Sequence, residues 1–149
     1  MTQSQTSTYK DVRYLVGAEA WHGDRLFRDA EDYGHFLALF GSTAERYGWC
    51  CHAYCLLPTA FYLLLQAPAV ALALGLEALH GSYSLAFTRR HAARGHVYSG
   101  EHRICVIRTA DELKRATCIT LDAPRRAGLA ALESWPWSSA AAQGARHGC

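Results

Sequence analysis

Lys114 and Cys118 stand four residues apart. On a helix a lysine ammonium at that spacing favours the thiolate, the form in which cysteine attacks an electrophile. His52 and His102 are the imidazoles that would serve such a nucleophile as base. Spacing alone brings neither histidine to the thiol, and the plainer reading of Cys118 is a helix residue at the margin of a core. Metal binding is the other chemistry that six cysteines suggest, yet no pair has Cys-x2-Cys spacing. In an unbroken strand Cys51 and Cys55 lie about 13 Å apart, at roughly 3.3 Å per residue. One tetrahedral ion with Zn–S bonds of about 2.3 Å does not reach both. Cys50, Cys51 and Cys55 therefore read as small buried hydrophobes. The eight histidines include no close pair at ligand spacing, and no cofactor is expected.

Charge is more informative than the cysteines once the chain is divided. Residues 1–80 carry five Lys/Arg against eight Asp/Glu, a balance of −3; residues 81–149 carry ten against five, a balance of +5. The cations cluster at Arg89, Arg90 and Arg94, at Arg103 and Arg108, at Lys114 and Arg115, and at Arg125 and Arg126. Such asymmetry is what a phosphate-binding face needs. For the first cluster, arginines complementing the dipole at a helix C-terminus are an equal reading.

These residues need elements to position them. Val12, Tyr14 and Val16 alternate as in a first strand. Asp29 caps a helix that ends before Gly48 and keeps Tyr33, Phe36, Leu37, Phe40, Ala44 and Tyr47 on one stripe. Residues 49–57 and 60–66 read as consecutive strands joined at Leu57-Pro58-Thr59. A second helix over 70–90 buries Leu72, Leu76, Leu79, Tyr83 and Phe87. An extended stretch over 97–107 bends at Gly100. Thr109 and Glu112 form a capping box for a last helix that should stop before Pro124. The segment ESWPWSSA reads as a flap packed on the domain. The expected fold is α+β, a ferredoxin-like split βαβ with a four-stranded antiparallel sheet, helices on one side and an additional C-terminal helix. Residues 1–10 and 141–149 read as flexible tails around one domain, 11–140. MTQSQTSTYK is no secretory signal and no run gives about 18 uninterrupted apolar residues. A cytoplasmic protein without a disulfide framework or membrane span is expected.

The stretch FRDAEDYGHFLALFGSTAERYGWCCHAYCLLPTAFYLLLQAP, with LDAPRRAG and WPWSS further on, resembles the REP-associated tyrosine transposases. These are small HUH transposases related to the insertion-sequence enzymes with one catalytic tyrosine. The resemblance spans roughly residues 12–139. In that family the strand after the proline reads Met-Pro-Asn-His-x-His-Leu, and its two imidazoles bind a divalent metal that polarises the scissile DNA phosphate. The resemblance puts Ala60 and Tyr62 at the two histidine positions. Alanine has no donor atom, and a tyrosine would have to lose a proton with a reference pKa of about 10. The family's nucleophilic tyrosine falls on Cys118 and its helical Glu on Thr120. The family's aromatic-acidic-Gly-Arg strand becomes Tyr98-Ser99-Gly100-Glu101-His102-Arg103. Core and turn positions fit the family, whereas ligand and nucleophile positions do not.

The resemblance thus implies a transposase-like nucleic-acid-binding protein with a degenerate, catalytically inactive site, its fold kept for DNA binding or regulation. Single-stranded or hairpin DNA is the expected partner. Phosphates would be held by Arg89, Arg90, Arg94, Arg103, Lys114, Arg125 and Arg126, and bases would stack on Trp21, Tyr62 or Tyr98. The alternatives are a protein-interaction or homo-oligomerisation module without nucleic acid, and an enzyme with replaced chemistry at Cys118.

Overall fold

A computed structural model of the chain describes residues 12–20, 24–92, 102–129 and 135–139. The elements are β1 (Val12–Glu19), α1 (Ala30–Tyr47), β2 (Cys50–Leu57), β3 (Ala60–Ala67), α2 (Ala69–His91), β4 (Arg103–Ile107) and α3 (Ala110–Arg126). The sheet runs β2-β3-β1-β4 with every neighbouring pair antiparallel. This is the expected α+β arrangement. The expected tails, and the residues Trp21, Arg94, Tyr98 and Gly100, lie outside the described residues.

The strand period of two decides what each face of the sheet meets. Val16 and Ala18 of β1, with Phe61, Leu63 and Leu65 of β3, face α1 and α2 in the main core. Leu15 of β1, Leu64 of β3 and Ala53 of β2 face α3, where Leu113, Ala116 and Leu121 meet them. Helices cover both faces of β3, which is why its sequence is a nearly continuous apolar run rather than an alternating one.

Local chemistry starts and stops the helices as expected. The Asp29 side chain accepts the Asp32 N–H, and Gly48 closes α1 in the left-handed region at φ 69. The residues expected on the buried side of α2 are all buried. By length and composition α2 could cross a bilayer; in this fold its apolar stripe roofs the main core. Gly75 is required there, because a Cβ would overlap the Trp49 indole, whose Nε1 donates to Ala71 O at 3.1 Å. The Thr109–Glu112 capping box is formed.

Pro124 departs from expectation by lying inside α3, which continues to Arg126. Pro124 is buried there. Ala123 packs against Cys55 and Leu57, and Asp122 pairs with Arg125 at 2.6 Å. A second departure is a bulge in β2 between Cys51 and Ala53. The extra residue, His52, turns outward to Gln66, with Nε2 2.8 Å from Oε1. The bulge puts Cys51 in the main core and Cys55 under α3. Burial pushes both thiols up to about 12. Cys50 is disulfide-bonded rather than the free hydrophobe expected.

The outer edge of β2 is closed by residues 135–139. Leu56 N–H donates to Trp137 O, Ser139 N–H donates to Tyr54 O, and Trp135 Nε1 donates to Leu56 O at 2.7 Å. Trp137 stacks on Tyr33 at 4.8 Å between ring centroids. The expected flap therefore acts as an edge cover.

Candidate nucleic-acid interface

Three cross-strand rows build the α3-facing side of the sheet. Ala60 pairs with Glu19; Tyr62 and Arg103 both pair with Gly17; Leu64 and Cys105 both pair with Leu15. The middle row lacks a central side chain, because its central residue is glycine. A recess forms there, about 220 Å³ in volume, lined by Leu15, Gly17, Ala18, Glu19, Tyr62, Arg103 and Cys105. The Tyr62 ring leans over the glycine, so that a Cβ at Gly17 would meet Cδ1 and Cε1 at 3.5 Å. Helix α3 covers the Leu15–Leu64 row and leaves the recess open.

Ala60 and Tyr62 thus share one face of an inner strand, as expected. Ala60 is buried and Tyr62 half-buried. Their environment is that of a shallow apolar recess with one cation, Arg103, and one carboxylate, Glu19, at its rim. Among the described residues no cluster of three or more His, Cys, Asp or Glu side chains is placed to hold a metal ion.

Cys118 does not join this recess. The buried residues of α3 are Ala116, Thr120, Ala123 and Pro124, and Cys118 is exposed. It lines a separate open groove of about 550 Å³ with Thr117, Ile119, Leu121, Asp122, Arg125 and Arg126. Neither candidate base reaches it. His52 pairs with Gln66, and His102 Nε2 lies 2.7 Å from His80 Nδ1 of α2. Burial and the neighbouring His102 push His80 down to about 3, and burial lowers His102 as well. Both rings are accordingly neutral near pH 7, and one donates to the other.

The cations divide into committed and available groups. Arg90 is committed: its guanidinium meets Asp29 at 2.8 Å, Glu31 at 3.0 Å and Asp32 at 2.6 Å. Its neighbour His91 places Nε2 2.8 Å from the buried Asp32. The Arg28 N–H also donates to Asp32, at 2.7 Å, and the Arg90 guanidinium holds the Asp29 carboxyl down at about 2. This cluster ties the end of α2 to the start of α1. Arg126 turns back to donate to Ile119 O at 2.6 Å, and Arg125 pairs with Asp122 while its side chain stays 70% exposed. Arg89, Arg103, Lys114 and Arg115 are exposed and make no ion pair among those found in the described residues.

One residue type in β1 marks the recess. Gly17 sits inside strand β1, where a glycine commonly marks a close approach or a gap. Glu19 carried no such sign. No protein-family model matches the chain, and no curated protein matches it. Solved structures with a similar fold include the following two. One is a REP-associated tyrosine transposase bound to a REP hairpin, with a TM-score of 0.71 and 12% identity over 92% of this chain and 81% of that one. The other is a candidate transposase from Deinococcus radiodurans R1, with a TM-score of 0.56 and 17% identity over 80% of this chain and 95% of that one. The chain is thus similar in fold to tyrosine transposases at low sequence identity.

Proposed function

We propose that this is a transposase-like protein that binds single-stranded or hairpin DNA and does not cut it. Tyr62 carries the reading: its ring leans over Gly17 in the row where the resemblance expects a histidine, and its partner position is the donorless Ala60. Transesterification needs a positioned metal and a nucleophile. Among the described residues no cluster is placed to hold the metal, and Cys118, at the position where the resemblance expects the nucleophile, opens into a different groove. The similar fold of a protein bound to a REP hairpin supports DNA as the partner. The cations proposed to hold phosphates are Arg103 of β4, Lys114 and Arg115 of α3, Arg89 in the last turn of α2, and Arg125 and Arg126 in the last turn of α3. Arg90 is left out of this set because three carboxylates already neutralise it.

An electrophoretic shift assay against single-stranded, hairpin and duplex DNA at two salt concentrations tests the proposal. A salt-sensitive shift is expected, together with no adduct on a denaturing gel when Mg²⁺ or Mn²⁺ is present. A denaturation-resistant adduct that disappears in Cys118→Ser or Tyr62→Phe refutes inactivity. Absence of any shift at low salt refutes DNA binding. One observation favours a second reading, a protein-interaction module: Ile104 and Val106 of β4 are 45% and 37% exposed. Complexes that survive high salt would be its signature.

A further inference from the structure

Resting on the DNA-binding reading, we infer that the recess over Gly17 holds one unstacked nucleobase of a bound single strand, and that the base it selects is guanine. The size of the recess sets the first limit. About 220 Å³ is smaller than the pockets that enclose drug-sized ligands and suits a single heterocycle. Its walls set the second. Tyr62 offers an aromatic face, Gly17 a floor without a side chain, and Leu15 an apolar side, which is the setting in which a splayed-out base stacks.

The two charges at the rim supply orientation and choice. Arg103, on the neighbouring strand in the same row, is a fork of donors suited to the phosphate attached to the base. Glu19, one row further along β1, only accepts hydrogen bonds when ionised. A carboxylate has two oxygens side by side, and among the four DNA bases only guanine presents two adjacent N–H donors, N1–H and the 2-amino group, on its Watson–Crick edge. Adenine and cytosine offer a carboxylate one amino group each beside a ring acceptor, and thymine offers a single imide N–H between two carbonyls. Ala60, small and directly opposite Glu19, leaves that edge of the recess unobstructed.

Fluorescence anisotropy with labelled short strands tests this, using an all-thymidine strand, the same strand with one central guanine, and one with inosine in place of that guanine. The guanine strand is expected to bind about tenfold tighter than the all-thymidine strand or better, as for a good bidentate contact. Inosine, which lacks the 2-amino group, should lose much of that advantage. Glu19→Ala should abolish the preference by bringing the guanine and thymidine strands to equal affinity, and Arg103→Ala should weaken both strands alike. Gly17→Val is a second, independent probe, since strand geometry accommodates valine while its methyl groups fill the floor; it too should erase the preference. Equal affinity of the wild type for the guanine and thymidine strands overturns the inference and leaves DNA binding intact. So does a guanine preference that persists in both Glu19→Ala and Gly17→Val variants with native circular dichroism. Failure to bind any of the three strands overturns the inference, and the further absence of any hairpin shift overturns the DNA-binding reading itself.

Discussion

Acidification should weaken this protein well before its carboxylates titrate, through His80. Burial, reinforced by His102, takes the His80 imidazole from 6.5 down to about 3. A base whose folded-state pKa is depressed binds its proton more readily in the unfolded chain. Its contribution to stability is therefore fully present above about 6.5 and is lost as the pH falls from there towards 3. At pH 5 the solution is one and a half units below the unfolded value. At about 1.4 kcal/mol per unit, about 2 kcal/mol of stability has gone. His102, also lowered by burial, acts in the same direction. The lowered carboxyls of Asp29 and Glu112 lose their contributions mainly below their ordinary values of 3.8 and 4.5, beneath this window. Urea unfolding at pH 7.5 and pH 5 measures the loss, and thermal unfolding should show a midpoint lower by roughly 4–8 °C at the acid condition. A His80→Leu variant isolates the cause, since every other group titrates in both proteins. The wild type should lose about 2 kcal/mol more than the variant between the two conditions. Equal losses would refute the assignment of the pH dependence to this pair.

Gly75→Ala should destabilise the protein by about 1–3 kcal/mol despite the better helix propensity of alanine, because the new methyl group displaces the Trp49 indole from its bond to Ala71. Urea unfolding followed by tryptophan fluorescence reads this, and a variant more stable than wild type contradicts it. Asp32→Asn removes the buried charge that His91 and Arg90 share. The expected loss is about 3 kcal/mol, the low end for a broken buried pair, since Arg90 keeps Asp29 and Glu31. A chemical-denaturation midpoint that does not move would show the cluster to be ornamental.

Local rules carried the sequence reading a long way. Asp29 and Gly48 bound α1, Thr109 and Glu112 begin α3, and strand parity put Ala60 and Tyr62 on one face. Each of these depends on residues a few positions apart. What escaped prediction depends on how elements dock. His80 and His102 are 22 residues apart in sequence and touch only because β4 runs beside β1 under α2. Arg90 reaches acids some 60 residues earlier, so a cation that looks available for phosphate in the sequence is spent inside the fold. The β2 bulge has no Gly or Pro to announce it; His52 is pushed out because Cys51 and Ala53 pack on opposite sides of the sheet. Pro124 misled for the opposite reason, since a sound local rule was overruled by the burial of Ala123 and Pro124.

The strap over β2 has a consequence for synthesis. Strands β1, β2 and β3 are complete once residue 67 has been made, and they can then pair with one another. The residues that shield the free side of β2, 135–139, arrive about 70 residues later. At a translation rate of roughly 5–20 residues per second, that interval is on the order of 4–14 s. During it the N–H and C=O groups of Tyr54 and Leu56 face solvent or a chaperone with their native partners still unmade. For the β2 edge, the ribosome-bound chain rather than the finished protein is where strand-to-strand aggregation should begin.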